Sequence, residues 1–183
     1  MPDQLPIVTY AIDADDRLTD LNEQWAEFAN LNDAGQSLHP ESVLGKPIWD
    51  YVRDRGLQNI YRKLIERVRK TQERIDFAFR CDSPLFRRYM RMTIEGRVDG
   101  HVLFISRTES IVKRSEREQR LAHAFQGSFT IRQCSMCNLF QLKNGVWVEA
   151  DQLVQRSDAL TNDQTAMIIW AICPQCRKQM SNV

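Results

Sequence analysis

The sequence predicts an α+β domain followed by a small cysteine-rich module. Three observations point there. Strand-like alternation of apolar residues stands at both ends of a segment of about 100 residues, an ordinary domain size. One strongly amphipathic helix lies between those ends. Four of the five cysteines form two C-x-x-C pairs near the C-terminus.

Taken in order, I-V-T-Y-A-I-D (7–13) reads as a strand that ends in the turn signal Asp13, Ala14, Asp15, Asp16. R-L-T-D-L-N (17–22) is the returning strand. Asn22 suits an N-cap, with Trp25, Phe28, Ala29 and Asn32 following at helical spacing. Residues 31–42 read as loop. From Gly56, the residues Leu57, Ile60, Tyr61, Leu64, Ile65 and Val68 recur in steps of three and four, with Arg62, Lys63, Glu66, Arg67 and Lys70 opposite. Then Ile75, Phe77, Phe79 and Cys81 alternate with Asp76, Ala78 and Arg80. Met90, Met92 and Ile94 alternate with Arg91, Thr93 and Glu95. Asp99-Gly100 is a turn signal before the strand H-V-L-F-I-S (101–106).

Strand, strand, helices and three strands, with L-T-D-L-N-E-Q-W ending at Trp25 and V-L-G-K-P-I-W-D-Y-V at 43–52, resembles the PAS family over residues 5–108. The resemblance implies a five-stranded antiparallel sheet with helices on one face and a sensory or signal-transduction role. It implies a cavity facing Phe77, Phe79, Cys81, Met90 and Met92, able to take a small ligand of unknown identity; a protein-only adaptor with a fully packed core and no ligand is the alternative. The first hairpin departs from the family in having Asp15-Asp16-Arg17 where a Gly is common. Residues 109–126 are expected to form a charged connecting helix, and PAS domains also imply a protein partner and a homodimer. Haem is disfavoured, because none of His39, His101 and His123 lies on the helix 57–70. Flavin photochemistry is disfavoured because its cysteine motif is absent.

Residues 127–183 carry Cys134-x-x-Cys137 and Cys173-x-x-Cys176. Two residues between thiolates let one tight turn present both sulfurs to one ion, and four such ligands close a tetrahedral Zn²⁺ shell. Phe140–Val148 reads as a hairpin around Asn144-Gly145, and the second pair opens a terminal helix. Knuckle, hairpin and knuckle at a helix start resembles a treble-clef zinc finger. Structural zinc on Cys134, Cys137, Cys173 and Cys176 is the expectation, since so small a module holds little core of its own. Redox dithiols, an iron–sulfur cluster and unrelated cysteines are the alternatives. Cys81 reads as a small core residue.

Other classes are narrowed by composition. The net charge is +1, so no global field favours nucleic acid. The cysteine module holds five Lys or Arg against four acids, and turns net negative with four thiolates on one zinc. A phosphate-driven interface is therefore disfavoured. No P-loop, G-x-G-x-x-G, H-E-x-x-H or G-x-S-x-G occurs, so no enzymatic activity is expected. Without a signal-peptide pattern or a bilayer-length apolar run, a cytoplasmic protein away from membranes is expected. Arg87, Arg88, Arg91 and Arg97 are expected on an outer strand face paired to acids such as Glu95 and Asp82, with an anion site as the alternative. Trp25 and Trp49 are expected in the core, and Trp147 over the first knuckle.

Overall fold

The computed structural model describes residues 5–31, 35–52, 54–116, 118–119, 129–156 and 166–183. The chain divides into two compact units. One comprises Met1–Phe79, Tyr89–Ser110 and Val183; the other comprises Arg80–Arg88 and Ile111–Asn182.

The first unit is built on β1 (Ile7–Ile12), β2 (Leu18–Leu21), β3 (Ile75–Arg80), β4 (Phe86–Gly96) and β5 (Val102–Lys113). These strands form one sheet in the order β2-β1-β5-β4-β3. β1 runs antiparallel to both β2 and β5, with Tyr10 opposite Phe104 in the second pair. The ends of β3, β4 and β5 that fall in Arg80–Arg88 and Ile111–Lys113 belong to the second unit. The β1–β2 turn has no glycine; Asp16 takes the left-handed conformation instead, at φ 62°. Asp tolerates this region better than most residues. The Asp13 carboxylate accepts from the backbone N–H groups of Asp15 and Arg17, both at 2.9 Å. At the β4–β5 turn, Asp99 and Gly100 both have positive φ, of 56° and 76°, as the sequence signal implies.

α1 (Glu23–Leu31) follows β2. Asn22 precedes it but does not cap it with its side chain. Its Oδ1 accepts from Thr9 N–H and its Nδ2 donates to the Ile7 carbonyl, so it stitches the helix entry to β1. The span expected as loop contains a 3-10 turn, Gly35–Leu38, and a short helix, α2 (Pro40–Val43). Asn32 lies outside the described residues. Trp25 and Trp49 are half-buried rather than in the core. Each needs an acceptor for its indole N–H. Trp25 Nε1 donates to the Leu38 carbonyl at 2.8 Å, and Trp49 Nε1 donates to Asp16 Oδ2 at 2.9 Å.

α3 (Arg55–Thr71) is the long amphipathic helix. The Asp54 carboxylate accepts from Gly56 N–H at its start, and Gln72 ends it in the left-handed conformation. It buries Tyr61, Leu64, Ile65 and Val68. Tyr61 meets Phe77 edge-on at 6.1 Å and lies 6.4 Å from Phe104, which stacks on Tyr10 at 4.7 Å. Four rings thus fill the space between α3 and the sheet.

The second unit contains β6 (Phe129–Cys134), β7 (Phe140–Gln141), β8 (Trp147–Val148), α4 (Ala150–Arg156), β9 (Ala166–Ala171) and α5 (Pro174–Ser181). Its sheet has the order β8-β7-β6-β9, and β6 and β9 are parallel. Ile131, Phe140, Val148, Ala150 and Leu153 form its core. The hairpin expected around Asn144-Gly145 is present, with Gly145 at φ 85°. The connecting helix expected over 109–126 does not begin at Glu109, because β5 continues to Lys113. Residues 117 and 120–126 of that span lie outside the described residues.

Candidate metal centre

Register brings the two cysteine pairs together. β6 and β9 run side by side in the same direction, with Cys134 opposite Ala171. Both strands therefore deliver their C-terminal turns to one edge of the sheet. After Cys134 the chain turns, closed by the Cys134 carbonyl accepting from Asn138 N–H at 3.0 Å. Asn138 sits at φ 59°, a conformation Asn adopts at modest cost. Ser135 N–H donates to the Ala171 carbonyl at 2.9 Å, which ties this turn to the end of β9. After β9, Cys173 occupies the N-cap of α5 and Pro174 its first turn. Cys176 follows within that turn.

The four sulfurs of Cys134, Cys137, Cys173 and Cys176 lie within 4.8 Å of one another. They form a group able to hold a metal ion. Cys134, Cys173 and Cys176 are buried; Cys137 is half-buried. Cys137 and Cys173 sulfurs stand 3.7 Å apart, beyond bonding distance. Cys134 Sγ accepts from Cys173 N–H, and Cys173 Sγ accepts from Cys176 N–H, each at 3.4 Å. These donors stabilise sulfur that carries negative charge.

Charge crowding at the cluster also favours a cation. Hydrogen bonds from the Cys137 and Cys176 thiols hold the Cys134 thiol far below its ordinary range. The Cys137 thiol is pushed up to about 12, first by its hydrogen bond to Cys134. Cys176 is raised further, by its bonds to Cys134 and Cys137 and by burial. Ionising one of these thiols therefore opposes ionising its neighbours. A bound divalent ion would reverse that balance and leave all four thiols ionised.

Cys81 stands apart from this group. It is half-buried, its backbone N–H donates to the Arg88 carbonyl, and burial raises its thiol. The other residues expected to face a PAS cavity divide. Phe77, Met90 and Met92 are buried, and Phe79 is half-buried. Alternation breaks at the end of β3, where Arg80 is buried instead of exposed. Trp147 is half-buried on β8.

Sequence reasoning missed the buried ionic network of the second unit. Arg80 forks onto Asp82 with Nε and Nη2, and its Nη1 donates to both Glu149 oxygens at 2.8 and 3.0 Å. Arg87 pairs with Glu118 and reaches Glu149 at 3.3 Å. Arg114 approaches Asp82 at 3.6 Å. Of the four arginines expected on an outer strand face, Arg91 pairs with Glu109 and Arg97 with Glu95 near solvent. Arg88 is buried, and Arg87 belongs to the network. The C-D-S-P turn, with an acid two residues after Arg80, was the available signal.

The PAS fold family matches residues 3–110. The chain belongs to the PAS family. A crystal structure of a sensory box sensor histidine kinase from Vibrio cholerae is 14% identical, covering 60% of this chain and 86% of that one at a TM-score of 0.42. No curated protein matches the chain. The four clustered cysteines all lie beyond the residues matched by the PAS family. Among the described residues, no helix is long and apolar enough to cross a membrane.

Proposed function

We propose that this is a cytoplasmic PAS signalling protein in which sensing of a small ligand or partner is coupled to a zinc-stabilised interaction module. The observation that carries it is the presence of the four-sulfur cluster in one chain with a PAS domain. Zn–S bonds of about 2.3 Å in a tetrahedron place sulfurs about 3.8 Å apart. The Cys137–Cys173 separation of 3.7 Å supports that geometry. An all-sulfur tetrahedral set suits zinc or iron, and a closed shell gives zinc a structural role with no position for substrate. The order of knuckle, hairpin and helix supports a treble-clef kinship, to which the parallel β6–β9 pair is an addition. The reading assigns no reaction to the chain.

Signalling then works as a population shift. Ligand in the PAS domain favours one presentation of the cysteine module to a protein partner, which includes a second copy of this chain. Affinity capture with the full chain, wild type and Cys173→Ser, tests this. A protein partner retained by wild type and lost by the variant is expected. A nucleic-acid mobility shift with a steep salt dependence, and no protein partner, would favour the alternative of a zinc-dependent nucleic-acid-binding regulator.

A further inference from the structure

A cavity of about 250 Å³ lies within the second unit, and none of Phe77, Phe79, Cys81, Met90 and Met92 lines it. Its wall includes Asp82, Arg114 and Glu118 on one side and Phe140, Ile168 and Trp170 on the other. The three charged side chains are only 6%, 8% and 9% exposed. Charges buried this deeply are costly unless fully partnered. Here the partnering of Arg114 is incomplete. Arg114 Nη1 donates to the Ser83 carbonyl at 3.0 Å, but its Nε is buried and has no acceptor among the described residues. Glu118 accepts from Ser115 N–H, Ser115 Oγ and Arg87. That leaves about one of its four acceptor positions open.

We propose that this cavity binds a small zwitterion, an α-amino acid with an apolar side chain. The ligand carboxylate pairs with the Arg114 guanidinium at the wall. The ligand ammonium takes the open acceptor positions of Glu118 and Asp82. The side chain packs against Phe140, Ile168 and the half-exposed Trp170. The wall carries both signs, Arg114 with Asp82 and Glu118. A zwitterion can meet both, whereas a lone anion or cation adds an uncompensated buried charge. The volume lies below the range of roughly 300–1,000 Å³ usual for drug-sized ligands, which fits a molecule of this size. The site uses none of the four clustered cysteines, although Gln133 and Asn138 in its wall adjoin Cys134 and Cys137, so it shares the module's fold but not its sulfurs.

Titration calorimetry on the full chain with phenylalanine, leucine and methionine tests it. Two half-ligands, 3-phenylpropionate and phenethylamine, serve as probes of each charge. Saturable binding of an amino acid is expected, with both half-ligands weaker by about tenfold or more. Arg114→Lys, which keeps the charge but loses the guanidinium fork, and Trp170→Ala, at the rim, should each weaken binding about tenfold. No binding of any of the three up to about 10 mM would overturn the proposal. So would a half-ligand that binds as well as the zwitterion, or binding unchanged in both variants. Thermal melts that match wild type establish that each variant is folded, and the half-ligand comparison on wild type needs no variant.

Discussion

Arg80 reaches across 69 positions of sequence to hold both carboxylate oxygens of Glu149, at 2.8 and 3.0 Å. It also forks onto Asp82, and its backbone N–H donates to the Met136 carbonyl at 2.7 Å. One residue at the end of β3 therefore anchors the turn after Cys134 and the start of α4.

Truncating that residue should be expensive. Arg80→Ala leaves Asp82 buried without its main cation, and breaking a buried pair this way costs about 3–5 kcal/mol. Urea unfolding measures the loss. Arg80→Met with Asp82→Asn, which removes both charges, should recover part of it. Equal loss in the single and double variants would show that packing, not charge, dominates.

Gly96 is required by close approach. A Cβ there would lie 2.2 Å from the Val68 carbonyl oxygen at the last turn of α3. Backbone must move to admit it, so Gly96→Ala should cost about 3 kcal/mol. Gly45→Ala probes conformation alone, because nothing lies within 4 Å of a Cβ there but φ is 75°. It should cost about 1 kcal/mol. Thermal melts of the two variants should rank in that order.

Acid should weaken the Glu118 site. Burial works to raise the Glu118 carboxyl, but Ser115 and Arg87 outweigh it and hold the group below its ordinary value. The folded state thus binds its proton less readily than the unfolded state does. The stabilisation is full above the unfolded value of about 4.3 and fades as pH falls through the lower folded value. The stability gap between wild type and Glu118→Gln should be widest near neutrality and shrink below about pH 4. A gap that stays constant from pH 7 to pH 3 would contradict this.

Metal removal should act through the second unit. A strong chelator should lower the melting temperature of wild type, since binding to the folded state alone adds stability by mass action. Cys173→Ser should melt lower from the start and be indifferent to chelator. Equal chelator sensitivity in both would place the effect elsewhere.

Much of the first unit was legible because its signals are local. The α3 stripe from Leu57 to Val68, the alternation around Met90 and Met92, and the Asp99-Gly100 turn each lie within one short window. The cysteine spacing was legible for the same reason. The parallel pairing of β6 with β9 was not, because its partners, such as Ile131 and Ile168, lie far apart in sequence. Arg80 read as an outward residue because a strand pattern records polarity, and a buried guanidinium looks polar until its acids are placed. Glu109–Lys113 read as helix because T-E-S-I-V-K has charged residues beside apolar ones, and membership of a sheet overrode that local preference.

In the proposed function, Cys134, Cys137, Cys173 and Cys176 hold one zinc ion. Native and denaturing mass spectra of the untagged protein, expressed without added metal, test it most directly. A native mass heavier by one zinc per chain, lost on denaturation and absent from Cys173→Ser, is expected. A native mass equal to the bare chain, with all five thiols open to alkylation, would contradict it.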